Sequence, residues 1–428
     1  MSTSTLTSIL IIGAGVFGRS SPFPLPPPAL KTKLNPHLSV TTAKALSSRH
    51  PYLRILILDQ HAFPSPYAAS VDSSRMVRTD YADAAYSSLA QRALEVWQTS
   101  PHFRQSGLLL TADNGGRGRE YLERSYQNVS AVPGARVEYL TDASAIHRVA
   151  GTGGGSGASG YFNRDSGWVD AEAAIAALRG ELHACRNVGF ETATVARLAY
   201  HGSAVTGVVL SCGRELTADL TVVAAGAWSP ALTNLLQGRV QATGHPLAYI
   251  RLTESEQERY AAMPVMMNLS SGFIAIPPSR GVVRFGQHLI GYTSRTPAPS
   301  FPQRIPDDGE RELRRVVRDY MPELADRAFE TTRVCWYTDT PDEDFLVCHH
   351  PAHAGLFFAT GGSGHAFKFL PVLGEEIADI LERKPGARFA EKWAWKEFDG
   401  SAREDGRSGV MKLVDLESAS KSEVKSKL

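Results

Sequence analysis

An α/β fold with a second, α+β domain is what this 428-residue sequence predicts, on three observations. The first is a short apolar run, Ser8 to Ile12, that leads directly into Gly13-Ala14-Gly15-Val16-Phe17-Gly18. A buried strand feeding a GxGxxG turn opens a Rossmann-like dinucleotide-binding unit. The second is that the strand-to-glycine arrangement recurs: Leu220–Ala225 runs into Gly226, and Leu356–Ala359 runs towards Gly361-Gly362-Ser363-Gly364. The third is a pair of runs, Phe273–Ile276 and Val282–Phe285, around Pro277-Pro278-Ser279-Arg280-Gly281. They read as paired strands, and so as part of an antiparallel sheet in the second domain.

The glycines of the first turn let the backbone bend tightly and approach a pyrophosphate, which then sits on a helix N-terminus. The second strand, Arg54–Leu58, ends at Asp59, the acid expected to hydrogen-bond a ribose hydroxyl. Gly13, Gly15, Val16, Phe17, Gly18 and Asp59 are therefore the first candidates for cofactor binding. The competing reading is a glycine-rich turn with no ligand, and the strands on either side argue against it.

The spacing departs from the usual pattern. Asp59 stands 41 residues beyond Gly18, against an expected spacing of roughly 20. The excess is Arg19–Val40, which contains Pro22, Pro24, Pro26, Pro27 and Pro28 and cannot be the helix that the turn should open. Without it, Gly18 would run straight into Thr41-Thr42-Ala43-Lys44-Ala45-Leu46, a good helix start. Arg19–Val40 is thus read as an insertion, either a retained intron or a genuine surface loop. Further along, Gly151–Gly160 reads as a Gly/Ser-rich loop that crosses between domains. Asp170–His183 reads as a helix capped by Asp170. Glu310–Tyr320 and Pro371–Leu381 read as two more helices.

Composition narrows the function. Lys plus Arg (45) nearly cancels Asp plus Glu (44), which points away from nucleic acid and from an anionic membrane. No apolar run approaches the roughly 20 residues that span a bilayer. The run Ile9–Ile12 lacks a basic flank and is followed at once by glycines, so it does not read as a secretory signal. Cys185, Cys212, Cys335 and Cys348 form no CxxC pair, which argues against a disulfide framework and against a metal site. The stretch from Ser401 is polar and ends in Ser426-Lys427-Leu428, the tripeptide read by the peroxisomal import receptor. The alternative is a chance tripeptide on the Lys/Ser-rich tail of a cytoplasmic protein.

Five segments carry a family resemblance. Two are distinctive: Arg333-Val334-Cys335-Trp336-Tyr337-Thr338-Asp339-Thr340-Pro341-Asp342-Glu343-Asp344-Phe345, and Ala359-Thr360-Gly361-Gly362-Ser363-Gly364-His365-Ala366-Phe367-Lys368-Phe369. Three support them: Asp72-Ser73-Ser74-Arg75-Met76-Val77-Arg78, Gly167-Trp168-Val169-Asp170-Ala171, and Ala225-Gly226-Ala227-Trp228-Ser229. Together they resemble the monomeric sarcosine oxidase family of FAD-dependent amine oxidases, which includes fungal fructosyl-amine, saccharopine and pipecolate oxidases. The resemblance covers nearly the whole chain except Arg19–Val40 and the tail beyond about Trp395.

The resemblance implies a discontinuous FAD-binding domain from residues 1–108, 162–232 and 334–395, a substrate domain from 109–161 and 233–333, and a polar tail, 396–428. It places Cys335 where the family attaches its flavin through a thioether at the 8α-methyl carbon; the plainer reading is a small buried core residue. Gly226, Trp228, Gly361, Gly362 and Gly364 fall where backbone approaches the cofactor, with Ser74 and Arg75 close to the flavin ring. Arg78 and Lys368 match the pair that holds a substrate carboxylate, a planar fork beside a point charge. The alternative there is two solvated surface cations, but Lys368 lies between Phe367 and Phe369 and also counts among the cofactor contacts. Tyr337 and His288 fall at positions that line the substrate pocket, and Phe273 lies near it. Arg284 stands where the family usually has the lysine that promotes reaction of reduced flavin with oxygen, so it retains a cation there but spreads its charge.

The reaction implied has two halves. A carboxylate-bearing secondary amine gives a hydride equivalent, from the carbon next to nitrogen, to flavin N5, and the resulting imine hydrolyses or cyclises. Dioxygen then reoxidises the flavin and yields hydrogen peroxide. Arg284 keeps open a flavin dehydrogenase that uses another acceptor, and Arg19–Val40 keeps open an inactive relative.

Overall fold

The computed structural model describes residues 6–13, 38–61, 69–70, 72–294, 305–397 and 411–416. Gly15–Gly18, most of Arg19–Val40 and Ser426–Leu428 lie outside the described residues.

Two large sheets organise the chain. The first has six strands, in the spatial order Leu346–His349, Leu356–Thr360, Leu220–Val223, Ser8–Ile12, Arg54–Asp59 and Val188–Thr192. All neighbours are parallel except the edge strand Leu346–His349. Ile9 lies opposite Leu220 on one side and Ile55 on the other. Strands covered on both faces need apolar side chains at every position, and this is why Ser8–Ile12 reads as an unbroken apolar run. Alternate residues then divide between two cores. Ile9 and Ile11 pack with side chains of the helices Leu38–Arg49, Ala84–Gln98, Ala171–Ala184 and Leu370–Leu381. Leu10 and Ile12 join a core that includes Val195, Leu198, Val205 and Val208 of a small antiparallel sheet.

The helix Leu38–Arg49 starts three residues before the Thr41 expected from the sequence. Val40 is fully buried, so the apolar end of the proposed insertion belongs to the helix. This helix lies against Leu370–Leu381, and Gly374 makes the close approach possible: a Cβ there would stand 2.2 Å from the Thr41 carbonyl oxygen. Backbone cannot yield as a flexible side chain can. Gly374→Ala is therefore expected to cost about 1–3 kcal/mol, read as a lower denaturant midpoint at unchanged slope. The helix Ala171–Ala184 is capped as the sequence predicts, Asp170 accepting from the Ala173 N–H at 3.0 Å.

The second sheet is largely antiparallel. Its order is Lys412–Asp415, Ile290–Thr293, Gln241–Arg251, Val282–Gln287, Phe273–Ser279, Val265–Asn268, Leu108–Ala112, Ser159–Asn163 and Val137–Leu140, with Thr331–Asp339 also paired to Gln241–Arg251. The expected pair Phe273–Ile276 and Val282–Phe285 is antiparallel, Ala275 opposite Phe285.

Two expectations need correction. The Gly/Ser-rich stretch 151–160 links the helix Ala143–Ala150 to Ser159–Asn163 within the second sheet's own region, so the chain leaves that sheet only after Asn163. The strand Thr331–Asp339 spans the boundary expected at 334 and belongs by its pairing to the second sheet. Part of the polar tail is also paired: Lys412–Asp415 returns as a strand parallel to Ile290–Thr293. Gly291 leaves room for it, since a Cβ there would meet Met411 Sδ at 2.7 Å and Leu413 Cδ2 at 2.9 Å. Among the described residues, no helix is long and apolar enough to cross a membrane.

Candidate active site

At the end of Ser8–Ile12, Gly13 has φ +107°, and its N–H donates to the Leu58 carbonyl at 2.8 Å. A Cβ at this position would lie 2.7 Å from the Ala224 carbonyl oxygen, so only glycine turns here. Beyond the strand ends a pocket is lined by Gly13, Leu58, Asp59, Gln60, Ala193 and Ala225, among others. Asp59 is buried beside it and accepts the His61 N–H at 2.8 Å. Gly13 and Asp59 are thus brought together at the carboxyl ends of adjacent parallel strands, where open α/β sheets bind ligands.

A second set of residues is positioned by strand register. Across the pairing of Gln241–Arg251 with Thr331–Asp339, Leu247 faces Arg333, His245 faces Cys335 and Thr243 faces Tyr337. Across the next pairing, Tyr249 faces Arg284. Side chains alternate along a strand, so Arg333, Cys335 and Tyr337 share one face of the sheet. The segment leading into the short strand Arg75–Val77 meets that face.

Its centre is Asp72, whose carboxylate is 1 % exposed. Arg75 Nη1 lies 2.5 Å from it, Arg333 Nη2 2.8 Å and Arg284 Nε 3.4 Å. The Tyr249 hydroxyl and the Ser73 N–H donate to its other oxygen, each at 2.8 Å. Burial alone would push the carboxyl upward; Arg284, Arg333 and Arg75 outweigh it and hold the group well below the usual carboxylate range. Arg284 Nη1 also donates to the Ser74 carbonyl at 2.6 Å. Arg75 donates to the Ala69 carbonyl, and its Nη2 lies 3.7 Å from Cys335 Sγ. Cys335 is therefore buried as the core reading requires, but beside a guanidinium and not among apolar groups alone.

Arg78 and Lys368 are not solvated surface cations. They are 4 % and 6 % exposed and meet at one aromatic ring, with Arg78 Cζ 4.5 Å and Lys368 Nζ 5.4 Å from the Tyr81 centroid. Lys368 Nζ donates to the His365 carbonyl at 2.8 Å. His365 itself is tied down, its ring nitrogens on the Tyr81 hydroxyl at 2.9 Å and the Glu343 carbonyl at 3.0 Å.

Tyr337 and His288 are brought near one another, at 5.9 Å between centroids. His245, which the sequence reading missed, stands with both, 4.2 Å from Tyr337 and 5.2 Å from His288. Burial raises the Tyr337 phenol, so it stays neutral and can donate. Gly364 makes room for it: a Cβ there would stand 2.6 Å from the Tyr337 ring. At Gly226, with φ +53°, the nearest described atom to a Cβ would be Thr338 Oγ1 at 3.8 Å, and at Gly362 it would be Ala366 Cβ at 3.3 Å. Gly361 is closer packed, against Thr340 at 2.7 Å. Trp228 is fully buried in the core behind the Gly226 turn.

These residues fit a flat, polar-edged group such as a flavin. Ser74 Oγ, Arg78 Nη1 and Arg284 Nε are buried without a hydrogen-bond partner among the described residues. Buried polar atoms are left unpaired at a real cost, and all three belong to the face that carries Cys335 or to the segment that meets it. Gly226 and Gly362 leave backbone accessible nearby. Among the described residues no group of three or more His, Cys, Asp or Glu side chains could hold a metal ion.

Comparison with known proteins gives the family. The profile of a family described as FAD dependent oxidoreductase (DAO) matches residues 38–380. The match begins where the helix Leu38–Arg49 begins, just past the proline-rich excess. The chain is 28 % identical to an amino acid oxidase, imqH, of Aspergillus flavus, over 87 % of this chain and 92 % of that one. It is 27 % identical to an L-saccharopine oxidase of Schizosaccharomyces pombe, over 96 % and 98 %. Among solved structures it resembles the deglycating enzyme fructosamine oxidase (Amadoriase II) of Aspergillus fumigatus, with TM-score 0.81, 26 % identity and 96 % of each chain covered.

Proposed function

The chain belongs to the DAO family of FAD-dependent oxidoreductases, and on that premise we propose that it is an oxidase of a secondary amine or N-substituted amino acid. The observation that carries the substrate class is the buried pair Arg78 and Lys368 at the Tyr81 ring. Both cations are buried at one ring, and a substrate carboxylate there can accept from both.

Bound FAD supplies a two-electron acceptor for the C–H bond next to the substrate nitrogen and passes the electrons to dioxygen, giving hydrogen peroxide. Gly13 and Asp59 would hold its dinucleotide end, and Ser74, Arg75, Gly226 and the turn at Gly361–Gly364 would hold the ring system. Cys335 is the proposed point of covalent attachment, supported by its burial beside Arg75. Arg78 and Lys368 orient the substrate through its carboxylate, while Tyr337, His288 and His245 form an aromatic wall that excludes water. Oxidation of an N-substituted amino acid with release of peroxide, and at least about a hundredfold slower oxidation of the corresponding amine without the carboxylate, is the expected outcome of an oxidase assay. Equal rates on acid and amine would remove the carboxylate reading.

A second reading, a flavin dehydrogenase, rests on the spread charge of the Arg284 guanidinium; against it, Arg284 is pinned by Asp72 and by the Ser74 carbonyl. As a fixed cation it can still stabilise the negative charge that develops when dioxygen is reduced. Arg284→Met is expected to slow reoxidation of the reduced enzyme by dioxygen about a hundredfold, and Arg284→Lys to leave it within about tenfold of the parent. Stopped-flow mixing of reduced enzyme with oxygenated buffer measures this. A parent rate too slow to sustain turnover would favour the dehydrogenase.

The ending Ser426-Lys427-Leu428 supports import into peroxisomes as part of the same proposal, since a peroxide-forming oxidase belongs beside catalase. A fluorescent fusion that loses its punctate distribution when the tripeptide is removed would bear this out.

A further inference from the structure

The face that carries Cys335 holds more positive charge than the proposed reaction uses. Three guanidinium groups, Arg75, Arg284 and Arg333, meet the single buried carboxylate of Asp72. Two of the three cations stand by one sulfur. Arg75 Nη2 is 3.7 Å from Cys335 Sγ, and Arg333, two residues before Cys335 on the same strand, leaves the same face of the sheet. Asp72 binds both, at 2.5 Å and 2.8 Å, and the Tyr249 hydroxyl and Ser73 N–H fix Asp72 in turn. Arg333 has no part in the proposed reaction, and Asp72 enters it only by holding Arg284.

We propose that Asp72 and Arg333 are positioning residues for the attachment of flavin to Cys335. Asp72 holds Arg75 and Arg333 beside the sulfur, so that the negative charge which sulfur carries as it forms its bond meets two fixed guanidinium groups. The proposal rests on Cys335 being the attachment point, as proposed above. In the step, an S–C bond forms to the 8α-methyl carbon while the S–H bond and one methyl C–H bond break. The two electrons released reduce the ring system. Those electrons and two protons then pass to dioxygen as hydrogen peroxide, which restores the oxidised ring.

The test uses full-length purified protein incubated with excess FAD in air, following the flavin that stays with the acid-precipitated chain over time. The parent protein is expected to retain its flavin and Cys335→Ser to release all of it. Arg333→Met is expected to bind flavin but to attach it roughly tenfold more slowly, the effect of losing one charge-assisted contact. Arg333→Lys should recover most of the rate, which a purely structural role for the side chain would not predict. Asp72→Asn should slow attachment at least as much; if it does not fold, the Arg333 pair decides the matter. Attachment at the parent rate in Arg333→Met, or equal slowing by Lys and Met, would overturn this proposal and leave Cys335 attachment standing. A parent protein that releases all its flavin in acid would overturn both.

Discussion

Lys368→Met is expected to raise KM for an N-substituted amino acid about a hundredfold, the cost of truncating one member of a buried, hydrogen-bonded charge pair. Methionine keeps most of the length of the side chain and its apolar contacts, so the loss reports the charge. Lys368 is 6 % exposed, with Nζ 2.8 Å from the His365 carbonyl and 5.4 Å from the Tyr81 ring. Arg78 adds a second buried cation at the same ring. A substrate carboxylate placed there can accept from both cations. The control is the corresponding amine without a carboxylate, whose slow oxidation should change little on the same substitution. Should acid and amine lose activity equally in Lys368→Met, the residue serves the cofactor and not the carboxylate.

The second large effect falls on stability. Asp72→Asn leaves Arg75, Arg284 and Arg333 without the carboxylate they share, and is expected to destabilise the protein by about 3–5 kcal/mol. Its pH dependence follows from the direction of the shift. The folded carboxyl lies below its unfolded value of about 3.9. Its contribution is thus fully present above about pH 4 and is lost as the pH falls through the folded value. Denaturant midpoints for parent and variant should differ most near neutral pH and narrow steadily as the pH is lowered from about 4 to about 3. A constant difference down to that pH would mean that the carboxylate's charge is not what the arginines require.

The two sheets and the candidate site were legible in the sequence to different depths. Ser8–Ile12, Arg54–Asp59, Leu220–Val223 and Leu356–Thr360 are short apolar runs punctuated by glycine or an acid, and strands buried on both faces announce themselves in this way. The Asp170 cap is a local signal and was read correctly. Arg78, Lys368, Tyr337, His288 and Cys335 came from resemblance, and the structure adds what resemblance does not carry, namely which of them touch. His245, Tyr249 and Arg333 had no local signal to offer. Each is set in place by register between strands far apart in the chain, as when His245 comes to face Cys335. Register is specified by the whole sheet. Asp72 sat in plain view within a matching segment, but its role depends on arginines at 75, 284 and 333 that only the fold collects. The early start of the helix at Leu38 and the returning strand Lys412–Asp415 escaped notice for a similar reason: Val40 and Leu416 are buried by tertiary packing, not by any periodicity in their own segments.

The central claim is that this chain uses FAD to oxidise a secondary amine that carries a carboxylate. Its most direct test is anaerobic mixing of the purified, FAD-loaded protein with N-methyl and cyclic amino acids, saccharopine and fructosyl amino acids, followed by readmission of air. At least one of these should bleach the visible flavin absorbance, and air should restore it with release of one equivalent of hydrogen peroxide per turnover. A protein that binds FAD yet is bleached by none of them, or is bleached as readily by the amines without a carboxylate, would contradict the account.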